Sequence, residues 1–410
     1  MKKYSFSSLL DWVIIHLPFI IITCIIFNFE NSKGLATKSL VILGAVSLFR
    51  FKSIKGNLSK IFENKLFCST ATFGVFFLLM HLTNDGNMDL ARSSIAFLFF
   101  LMTIPLQKLN SRFLVFLCPA AIIVGYLVMQ SGLNSGTGRW SFALNPIPYA
   151  YYISILAIFS LYFLTSEIKN KPSHWKLTSI ISITAVAFGF LMIIKSETRG
   201  VWLSLFFTIV FIIAYTAYKT KKKRILFLGA ISLFISMTIV LQTKTVSNRV
   251  HYMQTELNNI QEGQYRSSSG WRLIMWGVAY DITSNSPFLG TPRHIEQDYI
   301  KHGITAGTID PTLAEFIVGD NANFHNQYLQ LLVNSGLIGL MVFFFFYFYP
   351  IIITYSYFDG INKALVLAIS SFGSIAIFFD SAFLHNHILF LTTFVNTTLF
   401  SLKKDKDQIK

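Results

Sequence analysis

The feature that most constrains this chain is a series of twelve apolar stretches, near 10–28, 35–50, 66–82, 91–106, 112–130, 147–165, 177–195, 201–218, 225–241, 336–357, 363–379 and 385–401. Each approaches the roughly 20 residues that carry an α-helix across a bilayer. The runs are continuous, without the period-2 alternation of a membrane β-barrel, so the spanning elements are expected to be helices. Composition agrees: 53% of the residues are apolar, 13% are charged and the mean hydropathy is +0.55, against roughly 25% charged in a soluble domain. With 42 Phe, 10 Pro and no tandem repeat, disordered, collagen-like and solenoid architectures are excluded. The expected fold is an all-α integral membrane protein of about 12 transmembrane helices.

Twelve spans put both termini on one side. If that side is cytoplasmic, 22 of the 34 Lys and Arg face the cytoplasm, as the positive-inside bias requires. The net charge of +15 is then mainly a topology signal. The KTKKKR run at 219–224 and the C-terminal tail lie against anionic lipid, and no nucleic-acid partner is needed to explain the charge. The first span carries Asp11 and His16 and lacks an A-x-A cleavage pattern, so it reads as a retained anchor. Cys24, Cys68 and Cys118 all fall inside spans, where a thiol behaves as a small apolar group.

The chain divides into spans 1–9 (residues 1–241), one long extracytoplasmic loop (242–335), spans 10–12 (336–402) and a basic tail (403–410). A structureless loop of that length is unusual in a compact protein, so helices are expected within it. Val250, Met253, Leu257 and Ile260 are spaced 3, 4 and 3, predicting an amphipathic helix over 248–261 on the membrane surface or the bundle. A second helix is predicted at 271–282, stopped by Asn285, Pro287 and Gly290. A third runs from Asn323 to Asn334, with His325 in its first turn, and hands over to the tenth span at Ser335 and Gly336.

The common catalytic signatures, G-x-S-x-G, P-loop, G-x-G-x-x-G, C-x-x-C and H-E-x-x-H, are absent from the sequence. The D-x-D of Asp405 and Asp407 lies in the basic tail and cannot build a nucleotide-sugar site. Glu296 and Asp298, with His294 beside them, read as a solvated turn rather than a cation site. Three extracytoplasmic residues stand out. Arg199, in the short turn after the seventh span, is suited to a bidentate grip on phosphate or, alternatively, snorkels to lipid headgroups. Arg272, between Trp271 and Trp276, would sit at headgroup depth if the indoles are interfacial anchors; a salt bridge to a loop carboxylate is the alternative. His325 has the side chain whose ordinary pKa suits a general base at neutral pH, although a lone histidine is more often structural. Arg139, in the loop at 131–146, is a further candidate for substrate contact or interfacial anchoring.

The motif HNQYLQLLVNSG at 325–336, the Arg272-x-x-x-Trp276 helix followed by SPFLG, and an Arg after the seventh span together resemble the O-antigen ligase and polymerase superfamily. The likeness covers the whole chain in topology. It implies a fold similar to the C-type glycosyltransferases, in the bacterial inner membrane, with both termini cytoplasmic and the active site periplasmic. It further implies transfer of a glycan from undecaprenyl diphosphate, without metal or other cofactor. Carried onto this sequence, it makes His325 the base toward the acceptor hydroxyl and Arg199 and Arg272 the holders of the diphosphate, with Asn326 a further substrate contact. The expected partners are the undecaprenyl-diphosphate-linked donor, a lipid A–core acceptor and membrane lipids. Attack opposite the leaving diphosphate would invert the anomeric centre.

Ligase and polymerase differ in acceptor. The short loop at 131–146 favours a ligase, because polymerases of this kind tend to carry two large periplasmic loops. A secondary transporter also has twelve spans, but this sequence lacks the repeat symmetry and mid-membrane charges such carriers use.

Overall fold

The computed structural model describes residues 6–51, 65–132, 143–319 and 322–409, and among these every regular element is helical. Helices α1 (Phe6–Ile20), α2 (Lys33–Phe51), α3 (Lys65–Asn84), α4 (Met88–Thr103), α5 (Ser111–Ser131), α6 (Pro146–Asn170), α7 (Trp175–Lys195), α8 (Arg199–Thr220) and α9 (Lys223–Leu241) occupy the first nine predicted spans. Helices α10 (Lys244–Gln261), α11 (Ser268–Asn285), α12 (Arg293–Thr305) and α13 (Ala314–Ile317) form the long loop. The chain then returns through α14 (Gln327–Tyr347), α15 (Tyr349–Tyr357), α16 (Gly360–Ala376) and α17 (Asn386–Ile409). Nine helical stretches among the described residues are long and apolar enough to cross a membrane, the ninth being α14 with α15. The other three expected spans fall on α4 and α16, at 16 and 17 residues, and on α17, whose helical backbone runs on through the basic tail to Ile409. The protein is therefore a multi-pass membrane protein.

Local sequence sets the helix ends. Asn87, Asn110 and Asn145 each accept a backbone N–H at the start of α4, α5 and α6, as short polar side chains do at an N-cap. Pro146 opens α6 and Gly132 closes α5 at φ 66°. Pro18 in α1 removes a backbone donor, and the helix widens into a π-turn over Ile21–Ile25.

In lipid, burial of apolar surface does little to drive helices together, so close packing and buried hydrogen bonds must hold the bundle. Phenylalanine supplies the packing: Phe19 meets Phe97, Phe100 and Phe394, and Phe343 stands edge-on to Phe383. The buried hydroxyls of Tyr151 and Tyr347 bond at 3.0 Å, and Asn28 joins Tyr149 and Tyr152.

The loop helices build a second, smaller core, in which Met275, Ala279 and Ile282 of α11 pack on Ile300, Leu313, Ile317, Phe324 and Val333. Helix α12 had no counterpart in the sequence reading, which placed its residues Glu296 and Asp298 in a turn. Glu296 is in fact buried in that helix, 3% exposed. The amphipathic helix exists, but Met253 and Leu257 of its apolar stripe stay exposed. Helix α10 is held to the bundle by charge instead: Arg249 pairs with Glu197 and Arg199 with Glu256.

The loop core and the bundle are joined at Gly336, a non-helical residue at φ 61°, ψ −164° inside α14. There the SPFLG segment pairs backbone to backbone with the break: Leu337 and Ile338 donate to the carbonyls of Pro287 and Phe288 at 2.8 and 3.1 Å, and Thr291 donates to Val333 at 2.7 Å. A Cβ on Gly336 would overlap the Phe288 carbonyl, and one on Gly290 the Ser335 nitrogen. Both positions therefore demand glycine on grounds of space as well as positive φ.

Candidate active site

The strap 322–326 leads from the loop core into α14 and carries His325. Phe324 is fully buried, its N–H donates to Gln330 Oε1 (3.1 Å), and its carbonyl accepts from Trp276 Nε1 (3.0 Å). The connector between α16 and α17 clasps the other end. Gln327 N donates to the Ile377 carbonyl (2.9 Å), Asn326 N to Ser381 Oγ (3.2 Å), and Phe383 N to Gln327 Oε1 (2.8 Å). His325 thus does not lie in the first turn of a helix; Asn326 is the cap, and His325 precedes it at φ 50°. Asn323 Oδ1 accepts the His325 N–H at 2.7 Å. This turn, the stitching on both sides and the tolerance of histidine for left-handed backbone together hold a conformation the chain alone would not favour.

The turn aims the imidazole at the bundle, where Nδ1 lies 2.8 Å from Asp380 Oδ1. The Asp380 side chain is only 5% exposed and that of His325 20%. A carboxylate only accepts, so Nδ1 donates, and in the neutral imidazole the lone pair is then on Nε2. That is the orientation a general base requires. The connector bearing Asp380 gave no helical or motif signal in the sequence. What could have singled it out is a lone carboxylate between two apolar spans on the side expected to hold His325.

The Arg272 guanidinium, on α11, forms no hydrogen bond or ion pair among the described residues, yet lies close enough to Asp380, Arg199 and Glu256 to feel their charges. Burial lowers its pKa and Arg199 adds to that, while Asp380 and Glu256 oppose it; an arginine so placed remains a cation. Arg199, the first residue of α8, is already engaged. Its Nη1 and Nη2 donate to the two oxygens of Glu256 at 2.9 and 3.3 Å. The two alternatives weighed for the arginines thus fall out crosswise: Arg199 has the loop carboxylate, and Arg272 does not. Burial works against ionisation of Glu256, but hydrogen bonds from Arg199 and Ser269 and the charges of Arg199 and Arg272 outweigh it, holding its carboxyl below the usual range.

Asn326 is 3% exposed and spends its side-chain oxygen capping α14, on Tyr328 N and Leu329 N. Its geometry is that of a cap, and nothing in it favours a substrate contact. Arg139 lies outside the described residues. Trp276, read from sequence as a lipid anchor, instead pins the strap and meets Phe378 edge-on. No group of three or more His, Cys, Asp or Glu suited to a metal ion occurs among the described residues. The site is a row in which the charges of Arg199, Glu256, Arg272 and Asp380 alternate, with His325 hydrogen-bonded at its end.

Comparison with known proteins meets this row. Residues 184–344 match the family model described as O-antigen ligase, a segment that includes Arg199, Arg272 and His325 and stops short of Asp380. The chain is 25% identical over 265 residues to the O-antigen ligase of Escherichia coli, covering 62% of this chain and 58% of that protein. It is also 23% identical over 321 residues to an uncharacterized protein of Haemophilus influenzae, covering 73% and 75%. The family match over residues 184–344 and the distant likeness to the Escherichia coli protein support membership of the O-antigen ligase superfamily.

Proposed function

We propose that the chain is a glycosyltransferase that moves a lipid-linked O-polysaccharide from undecaprenyl diphosphate to a sugar hydroxyl of lipid A–core. The reaction is placed at the periplasmic face of the bacterial inner membrane, in a twelve-span protein with cytoplasmic termini and a fold akin to the C-type glycosyltransferases. The observation that carries this reading is the His325–Asp380 pair beside a half-buried Arg272 whose guanidinium has no partner among the described residues.

The chemistry follows from those groups. The acceptor hydroxyl gives its proton to His325 Nε2 as its oxygen forms a bond to the anomeric carbon. The bond from that carbon to the diphosphate oxygen breaks, and undecaprenyl diphosphate leaves with the electron pair. Asp380 stabilises the imidazolium that results. Arg272, with Arg199, stabilises the charge gathering on the leaving group where water is scarce, so the mechanism calls for no metal. Attack from the opposite face inverts the anomeric configuration.

The test is lipopolysaccharide analysis, with lipid-linked O-antigen assayed alongside, in cells lacking the native gene. Wild-type protein is expected to restore a full ladder, and His325→Ala to leave polymerised glycan on undecaprenyl diphosphate. Single repeat units stranded on the lipid would instead assign a polymerase, and a product retaining the donor linkage would contradict inversion.

A further inference from the structure

The engagement of Arg199 poses a question that the proposed function leaves open: a guanidinium meant for phosphate is closed by a carboxylate of the same chain. We infer that the Glu256 carboxylate sits in the seat of a substrate phosphate, and that the donor enters by displacing it. This inference rests on the reading of Arg199 and Arg272 as the diphosphate holders.

Three donors already converge on an anion. Arg199 Nη1 and Nη2 reach the two oxygens of Glu256, and Ser269 Oγ donates to one of them at 2.7 Å. Both charged side chains are mostly shielded, 26% and 17% exposed. A carboxylate has only two oxygens and one charge, and with these spent the nearby Arg272 guanidinium is left with no hydrogen bond among the described residues. The donor's diphosphate as a whole has four non-bridging oxygens and two negative charges, enough to take over Arg199 and Ser269 and bond Arg272 as well. The seat fits a diphosphate better than it fits its present occupant.

Displacement is feasible because Glu256 sits on a helix with little buried surface of its own. Val246 is the buried residue of α10, and Met253 and Leu257 of its apolar stripe are exposed. When Glu256 leaves, Arg249 and Glu197 still tie the base of α10 to the turn between α7 and α8. The helix can therefore swing without detaching. Until then Glu256 keeps two neighbouring guanidiniums from facing each other uncompensated.

The experiment is a binding titration of undecaprenyl diphosphate on full-length protein in lipid nanodiscs, for wild type, Glu256→Gln, Arg199→Ala, Arg272→Ala and the Glu256→Gln/Arg199→Ala double variant. Glu256→Gln is expected to tighten binding roughly tenfold, since it removes a charge-assisted competitor. That gain should vanish in the Arg199→Ala background, whereas a general effect of charge would persist there. If Glu256→Gln does not fold, Glu256→Asp keeps the charge but shortens the reach to Arg199, and should also tighten binding. Unchanged or weaker binding in the Glu256 variants, with the arginine variants impaired, would overturn this inference and leave the diphosphate reading intact. Arginine variants that bind as well as wild type would overturn both.

Discussion

His325 and Asp380 stand 55 positions apart in sequence, yet their Nδ1 and Oδ1 atoms lie 2.8 Å apart. The histidine comes from a strap anchored in the loop core, the aspartate from a connector in the bundle. If Asp380 fixes tautomer and orientation, Asp380→Asn should lower kcat by about 10²–10⁴-fold with little change in donor affinity. His325→Ala should be at least as severe, and the double variant no worse than His325→Ala alone. Steady-state transfer by purified variants checks this, and additive losses would separate the two residues.

Arg272→Lys should weaken undecaprenyl diphosphate binding more than Arg199→Lys does. Arg272 has no side-chain partner among the described residues to release, and a point charge loses the bidentate geometry. Arg199→Lys should be milder, because a lysine also holds Glu256 less firmly. Full transfer activity in the Arg272→Lys enzyme would remove the diphosphate clamp from the mechanism.

Gly336→Ala and Gly290→Ala each place a methyl group in the opposing backbone at the α14 break. Each should destabilise the protein by roughly 2–3 kcal/mol or more, measured as a lower Tm in detergent. Gly277, which has open space around it, should accept alanine without loss.

Glu296 is buried in α12 with an unpaired Oε1, and burial pushes its pKa up to about 7, partly offset by Arg293. The unfolded chain ionises this group near the ordinary 4.5. The stability it contributes is therefore present below pH 4.5 and lost as pH rises toward 7. Glu296→Gln should then melt higher than wild type at pH 8, by an amount corresponding to about 1–3 kcal/mol, with the gap closing toward pH 5. A gap that is the same at both pH values would show that Glu296 does not titrate in this range.

The sequence exposed the parts of the molecule governed by local rules. Helices occupy all twelve apolar runs, the break at Gly336 falls where Ser335 and Gly336 were expected to end a helix, and α11 is stopped at Asn285 before Pro287 and Gly290. Relations across the chain stayed hidden. Asp380 belongs to no motif and matters only because the 377–383 connector folds against the strap. Glu256 looked like one polar position on an amphipathic helix, and only the docked turn at 197–199 gives it a partner. Helix α12 was missed because buried Glu296 and exposed Ile295 invert the usual pattern of apolar inside and charged outside.

The histidine issues from one hydrophobic core and its carboxylate from the other, so the pair is not the property of either unit. The membrane bundle alone would hold an aspartate with nothing to orient, and the extramembrane helices alone a histidine free to turn. Under the proposed mechanism, proton abstraction requires that the two halves have docked, so turnover would itself report that assembly is complete.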